Sequence, residues 1–276
     1  MSYLEYRFLV RPLQPASDML MAELGELGFE SFVETDNGVL AYVQTDQSPH
    51  ETDIDSLFVA QHPDFEISWS FTKVEQQNWN AEWEKNFHPI SVGNRCRIRA
   101  PFHPHENVEF DIVIEPKMSF GTGHHETTRM MLQLLLDENM AGKKVLDMGS
   151  GTGVLAILTE MMGADNIMAV DIDVWCFENA RENVERNQCK KIQVVQGDAH
   201  VLGNEKYDLI IANINRNILL KDIPIYASCL KKAGDLFLSG FYLNDLDMIS
   251  AKCGEFNLKL EKKIVENDWV AVKYVH

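Results

Sequence analysis

The sequence predicts an α/β protein: a doubly wound, mostly parallel sheet closed by a terminal antiparallel hairpin and preceded by a small α+β domain. Three observations carry this. From Pro116 onward, apolar runs at Val145, Ile167, Ile192, Leu209 and Leu236 alternate with helical stretches, as strands covered by helices on both faces do. Leu258 to Val265 and Trp269 to Tyr274 then follow one another, joined only by Glu266-Asn267-Asp268, and read as a hairpin. Before Thr72 the order is strand, helix, strand, strand, helix, strand, the pattern of a ferredoxin-like domain.

Each early element has its own signal. Tyr3 to Val10 alternates apolar and polar residues, the period of a half-buried strand. Met19, Leu20, Leu24 and Leu27 mark one helix face, closed by Gly28. Phe29 to Glu34 and Val39 to Val43 flank Asn37-Gly38, a hairpin turn signal. Ile54, Leu57 and Phe58 give a second short helix, and Phe65 to Val74 a fourth strand. Trp79, Trp83 and Phe87 then form an aromatic stripe at helical spacing. Arg95 to Arg99 and Val108 to Glu115 alternate and predict a strand pair bridging into the next domain. The expected boundaries are residues 1–73 for the small domain, 74–115 for the connector helix and bridging strands, and 116–276 for the sheet domain.

Composition narrows the class. Hydrophobic content of 45% and charged content of 24% are ordinary for a soluble globular chain. The start lacks a cationic segment and a long apolar core, so no signal peptide is expected, and no run approaches the ~20 apolar residues of a membrane helix. Five cysteines are scattered without C-x-x-C spacing, which fits free thiols in a reducing, cytoplasmic setting. The net charge of −17, with no Lys/Arg run, sets the chain against phosphate backbones and favours a basic protein partner over nucleic acid.

The most informative stretch is Val145-Leu-Asp-Met-Gly-Ser-Gly-Thr-Gly153, a buried strand entering a glycine-rich turn with a helix opening at Val154. Asp171 ends the next apolar run, about 20 residues on, where an acid takes ribose hydroxyls in doubly wound nucleotide sites. A dinucleotide fingerprint needs its third glycine at position 154, which is Val154; Gly153 comes one residue early. The G-x-G-x-G loop of Gly149, Gly151 and Gly153, with Asp147 two residues before it, suits S-adenosyl-L-methionine instead.

Further candidates follow. In Ser119-Phe-Gly-Thr-Gly-His-His-Glu-Thr-Thr128, two glycines permit unusual backbone angles, and Thr127 and Thr128 sit at a helix start where hydroxyls and free N–H groups hold polar ligands. The bland reading is a helix cap. Asp198, after the third strand, is placed to contact an adenine amino group. Asn213 ends the fourth strand, outside whose carboxyl end ligands bind, and its amide oxygen would orient a substrate amine. The alternative for Asn213 is a cap for the helix beginning near Asn215. The His103-x-His105 and His124-His125 pairs lack companion ligands, so no metal is expected.

Along essentially its whole length the chain resembles the PrmA family, the ribosomal protein L11 methyltransferases. The resemblance rests on Trp79 and Trp83, Phe120-Gly-Thr-Gly123 with Thr127-Thr128, Val145 to Gly153, Asp171-Ile-Asp173 and Ala212-Asn213-Ile214. One departure is plain: the family's His-Pro-Thr-Thr is here His125-Glu126-Thr127-Thr128. The resemblance implies a Rossmann-like class I methyltransferase domain, S-adenosyl-L-methionine contacts at Thr128, Gly149, Asp171 and Asn213, and an N-terminal domain that captures a ribosomal protein. It further implies methylation of lysine side chains and of the N-terminal amine, up to trimethylation. A monomer is expected. Two other readings stand beside it: a methyltransferase for another protein's lysines or for RNA, and a non-catalytic S-adenosyl-L-methionine-binding module.

Overall fold

A computed structural model describes residues 3–74, 87–117 and 119–276, and divides the chain into two compact units, Met1–Lys85 and Asn86–His276. The expected stripe residues Trp79 and Trp83 lie outside the described residues.

In the first unit, strand β1 (Tyr3–Arg11) leads to helix α1 (Ala16–Glu26), strands β2 (Ser31–Thr35) and β3 (Gly38–Gln44), two short helices α2 (Glu51–Asp55) and α3 (Phe58–Gln61), and strand β4 (Glu66–Val74). The sheet order is β2-β3-β1-β4, with every neighbouring pair antiparallel. The alternation in β1 buries Leu4, Tyr6, Phe8 and Val10 on one face, where they meet Leu20 and Leu24 of α1. Tyr6 gathers Phe29, Trp69 and Phe71 within 5.1–5.6 Å between ring centroids. The hairpin pairs Thr35 with Gly38, so Asp36 and Asn37 form its loop, one residue earlier than the sequence signal.

The second unit opens with β5 (Ile90–Val92), β6 (Cys96–Arg99) and β7 (Phe110–Val113), a three-stranded sheet. The sequence suggested a bridge here. Instead Ile98 and Ile112 are buried in the same core as Met131 and Leu155, so these strands are part of the second unit. The Phe87 ring lies 4.5 Å from that of His124 in the same unit. The remaining elements are α4 (Glu126–Leu136), β8 (Lys144–Met148), α5 (Val154–Met161), β9 (Asn166–Asp171), α6 (Val174–Arg186), β10 (Ile192–Gln196), β11 (Tyr207–Asn213), α7 (Arg216–Cys229), β12 (Leu230–Tyr242), α8 (Leu246–Gly254), β13 (Lys259–Glu266) and β14 (Trp269–Val275).

The large sheet has the order β10-β9-β8-β11-β12-β14-β13. Its first five strands run parallel, and β14 inserts antiparallel between β12 and β13. The chain winds outward from β8 in both directions, so the crevice at the carboxyl ends of β8 and β11 is the topological switch point where ligands of such sheets bind. The central strands are buried on both faces, which is why β11 reads as the nearly unbroken apolar run Leu209-Ile-Ile-Ala212. Helices α4 and α5 close one face around Met130, Leu134 and Ile157. Helices α7 and α8 close the other around Leu219, Ile223 and Ile249. Asn267 and Asp268 both adopt positive φ, 48° and 66°, giving the tight turn that twisted antiparallel strands favour.

Lys273 anchors the inserted strand. Its ammonium lies 2.8 Å from Glu138, 2.7 Å from Glu261 and 4.0 Å from Asp235. Burial acts to lower the Lys273 pKa, but the hydrogen bonds from its ammonium to Glu138 and Glu261 outweigh it and hold the pKa above its ordinary value. Burial also raises Asp235, against the pull of Lys273 and Lys143. Replacing Lys273 with Met would leave Glu138 and Asp235 half-sequestered with one cation fewer. We expect a loss of about 2 kcal/mol in urea unfolding, below the range for fully buried pairs because these groups keep some exposure. An unfolding midpoint equal to that of the parent protein would remove Lys273 as an anchor.

Candidate functional site

A cavity of about 300 Å³ opens at the switch point. Its walls come from the glycine turn after β8 (Gly149, Gly151), the end of β9 (Asp171 to Asp173), the loop after β10 (Gly197, Asp198), the end of β11 (Asn213 to Asn215) and the first turns of α7. Phe120 closes one side.

The glycine turn is held by long-range contacts. Gly151 N–H donates to Asp171 Oδ2 at 2.8 Å, and Asp171 Oδ1 accepts from Asp173 N–H at 3.1 Å. On the opposite side, Thr152 N–H donates to the Phe120 carbonyl at 2.9 Å, and Thr152 Oγ1–H to the Gly121 carbonyl at 2.7 Å. These contacts explain two glycines without reference to any ligand. A Cβ on Gly151 would sit 2.2 Å from Phe120 O, and one on Gly149 would sit 2.2 Å from Ile214 Cγ2.

The predicted residues divide into two groups. Gly149, Gly151, Asp171, Asp198 and Asn213 are brought together on the cavity wall. Asp147, Gly153, Thr127 and Thr128 are not among its lining residues. Asp147 is buried beneath the turn, where Oδ2 accepts from Ala156 N–H at 3.1 Å and Oδ1 has no partner. Burial, and to a smaller extent the nearby Asp171 charge, push its pKa up to about 7, although the Ala156 N–H pulls the other way. Gly153 packs against Ala180 at the start of α5. At α4 the helix cap is His125, whose Nδ1 accepts from Thr127 N–H and lies 2.9 Å from Thr127 Oγ1. Thr128 is not used as a cap; its hydroxyl oxygen is buried without a partner.

Asn213 also resolves its two readings. The cap of α7 is Asn215, whose Oδ1 accepts from Ile218 N–H at 3.2 Å. Asn213 is free of that duty. It is buried at the end of β11, lines the cavity, and its Oδ1 has no protein partner. A buried amide oxygen without a donor is costly, so this atom is prepared for a ligand or substrate N–H or O–H. Asp198 is exposed and accepts from His200 N–H, which lowers its pKa.

Some site residues escaped the sequence reading. Ile218, Asp222 and Tyr226 line the cavity from one stripe of α7; the signal was an acid at i, i+4 spacing between apolar residues. Burial raises the Asp222 pKa. Buried Asn179 and Asn183 on α6 and half-buried Asn187 at its C-cap form a ladder. Asn183 Nδ2 donates to Thr152 O at 3.0 Å and Oδ1 accepts from Glu115 N–H at 2.9 Å, while Asn187 exchanges two hydrogen bonds with Val113. This ladder ties β7 to the glycine turn. Its trace was three asparagines at four-residue intervals.

The histidine pairs serve local structure. His103 accepts from Ala100 N–H through Nδ1 and reaches the Phe87 carbonyl through Nε2; His105 pairs with Asp111 at 2.7 Å. Among the described residues, ligand-type atoms cluster at Asp171, Asp173 and Cys176, on the rim of the same cavity. The five cysteines are free, and no helix of the described residues is long and apolar enough to cross a membrane.

Comparison with known proteins agrees with this geometry. The family model described as ribosomal protein L11 methyltransferase (PrmA) matches residues 19–276. A ribosomal protein L11 methyltransferase of Bacteroides fragilis is 46% identical over 279 residues, spanning 100% of both chains. One from Phocaeicola vulgatus is 43% identical, spanning 100% of this chain and 99% of its own. The crystal structure of a ribosomal protein L11 methylase from Lactobacillus delbrueckii subsp. bulgaricus superposes with a TM-score of 0.64 at 26% identity, covering 69% of this chain and 99% of that one. The chain belongs to the ribosomal protein L11 methyltransferase (PrmA) family.

Proposed function

We propose that this chain is an S-adenosyl-L-methionine-dependent protein N-methyltransferase that methylates lysine side chains and the N-terminal amine of ribosomal protein L11, up to trimethylation. The observation that carries the reading is the unpartnered Asn213 Oδ1, buried on the cavity wall at the end of the strand next to the glycine turn. The residues present fit the methyl donor. Asp171 lines the cavity with a carboxylate able to accept ribose hydroxyls, Gly149 and Gly151 bare the backbone, and Asp198, on the same wall, offers an acceptor for an adenine amino group. Asp147, beneath the turn, and Gly153, at the start of α5, shape the turn rather than the wall; Thr127 and Thr128 sit at the start of α4.

When bound, the donor supplies an electrophilic methyl on a sulfonium. The protein's part is to present a neutral nitrogen in line with it. A lysine amine has an unperturbed pKa near 10.4 and an N-terminal amine about 7.7–8.0, so the lysine must lose a proton first. Burial together with the positive charge of a bound donor disfavours the ammonium and lowers that pKa, against the pull of the acids around the crevice. Asn213 Oδ1 accepts from the amine N–H and turns the nitrogen lone pair toward the cavity. The methylated product then sheds a proton to solvent. Residues 1–73 act as the substrate-capture domain, and the enzyme works as a cytoplasmic monomer. The net charge of −17 suits a basic protein substrate.

Three outcomes are expected. Labelled donor should transfer methyl groups to purified L11 and not to ribosomal RNA, while a chain lacking residues 1–73 should bind donor yet leave L11 unlabelled; label on RNA alone would overturn the substrate assignment. Asn213→Ala should reduce turnover about a hundred-fold, as misaligned reactants do, with little change in donor affinity. Equal losses in calorimetry and in turnover would reduce Asn213 to a binding contact. The third concerns pH. A cationic sulfonium near Asp147 and Asp171 favours ionised Asp147, so its pKa of about 7 should fall on binding. Donor affinity should therefore rise between about pH 6 and 8 with release of a proton, and Asp147→Asn should flatten the profile. A pH-independent affinity in the parent enzyme, with no proton exchange between buffers, would contradict this.

A further inference from the structure

A line of aromatic rings runs from the cavity to the tip of the C-terminal hairpin. Phe120, on the cavity wall, lies 5.1 Å from His125 between ring centroids; His125 lies 4.8 Å from Trp269, edge to face; Trp269 lies 4.1 Å from Tyr242. Phe120 and Tyr242 are each 50% exposed at this rim, while Trp269 is half-buried against the core and backs the Tyr242 ring. Their position is fixed by the sheet. Tyr242 and Trp269 are cross-strand partners on β12 and β14, and β12 pairs Ser239 with Asn213 three residues earlier.

The rim is acidic and braced. Glu126 Oε1 accepts from Asn267 Nδ2 at 3.0 Å, joining the start of α4 to the hairpin turn. Arg129 bridges Glu126 and Glu266. Two carboxylates thus share one guanidinium, which leaves a net negative charge beside the open rings. Glu126 stands where the resemblance led us to expect proline, and a proline there would offer no carboxylate for this link.

We infer that Phe120, Trp269 and Tyr242, spaced by His125, form an aromatic wall that holds the mono- and dimethylated ammonium of the substrate between successive methyl transfers. The inference rests on the proposed amine substrate. Its chemistry is the attraction of an alkylammonium to ring faces, which strengthens as methyl groups displace water from the cation. Such a wall would not serve the transfer position itself, because it favours the charged form. Asn213, where the nitrogen must be neutral, pairs with Ser239, and the Tyr242–Trp269 end of the wall is three residues further along β12. The methylated ammonium rests on the rings while the spent donor is exchanged, loses a proton, and returns to Asn213 as the next nucleophile.

The test uses full-length enzyme with L11 in large excess, read by mass spectrometry at low conversion. The parent enzyme should yield trimethylated sites while most L11 is unmodified. The Trp269→Leu, Tyr242→Leu double variant should raise the ratio of mono- to trimethylated product about ten-fold, with donor affinity unchanged, and Trp269→Phe should restore most of the retention. Tyr242→Leu alone, at an exposed position, should shift the ratio in the same direction should the double variant fold poorly. Tetramethylammonium chloride should perturb the Tyr242 and Trp269 ring resonances of the parent enzyme more than sodium chloride does. Monomethyl accumulation by the parent enzyme, an unchanged ratio in the variants, or identical effects of the two salts would each overturn the wall. An enzyme inactive on L11 but still bound by tetramethylammonium at these rings would instead count against the substrate, leaving a methylammonium site intact.

Discussion

The turn from Gly149 to Gly153 is the constraint on which the site depends. It is gripped from two sides, by the Asp171 carboxylate at 2.8 Å and by the Phe120 carbonyl at 2.9 Å. Neither Gly149 nor Gly151 has room for a side chain, since Ile214 fills the space a Cβ would need at the first and the Phe120 carbonyl that at the second. The same glycines that leave backbone open to a ligand therefore also let three separate segments converge. A cavity at the switch point follows from this convergence, because the loops after β8, β9 and β11 must all stop short of one another.

Electrostatics extends the argument. Asp147, Asp171, Asp173, Asp198 and Asp222 all lie in or around this crevice. Burying acids together is unfavourable, and the raised pKa values of Asp147 and Asp222 record that cost. A cationic ligand relieves it. The choice of a sulfonium donor over a pyrophosphate-bearing dinucleotide thus agrees with both the glycine spacing and the charge of the site.

The inserted strand β14 gives the active side its outer edge. It is fixed at one end by Lys273 among Glu138, Glu261 and Asp235, and at the other by Glu126 reaching Asn267. Between these anchors it carries Trp269 against His125 and Tyr242. The hairpin is thereby more than a sheet terminus, because its position decides where ring faces and carboxylates meet.

The sequence by itself determined the fold class, the strand positions of the large sheet and the residues that face the cavity through a strand end, Gly149, Asp171, Asp198 and Asn213. These are local matters: apolar period, glycine spacing and distance along a strand are all readable within a few residues. Tertiary structure decided what local pattern could not. Asn213 and Asn215 are two residues apart and chemically identical, and only the closed fold shows that Asn215 caps α7 while Asn213 Oδ1 stays open. It also showed that the strands at 90–113 belong to the second core, that Phe120 and the Asn183 ladder hold the glycine turn, and that Glu126 meets Asn267. The residues in those contacts are separated by 31 to 141 positions in the chain. Such pairs are selected by packing of the whole unit, and no short stretch of sequence carries the information that brings them together.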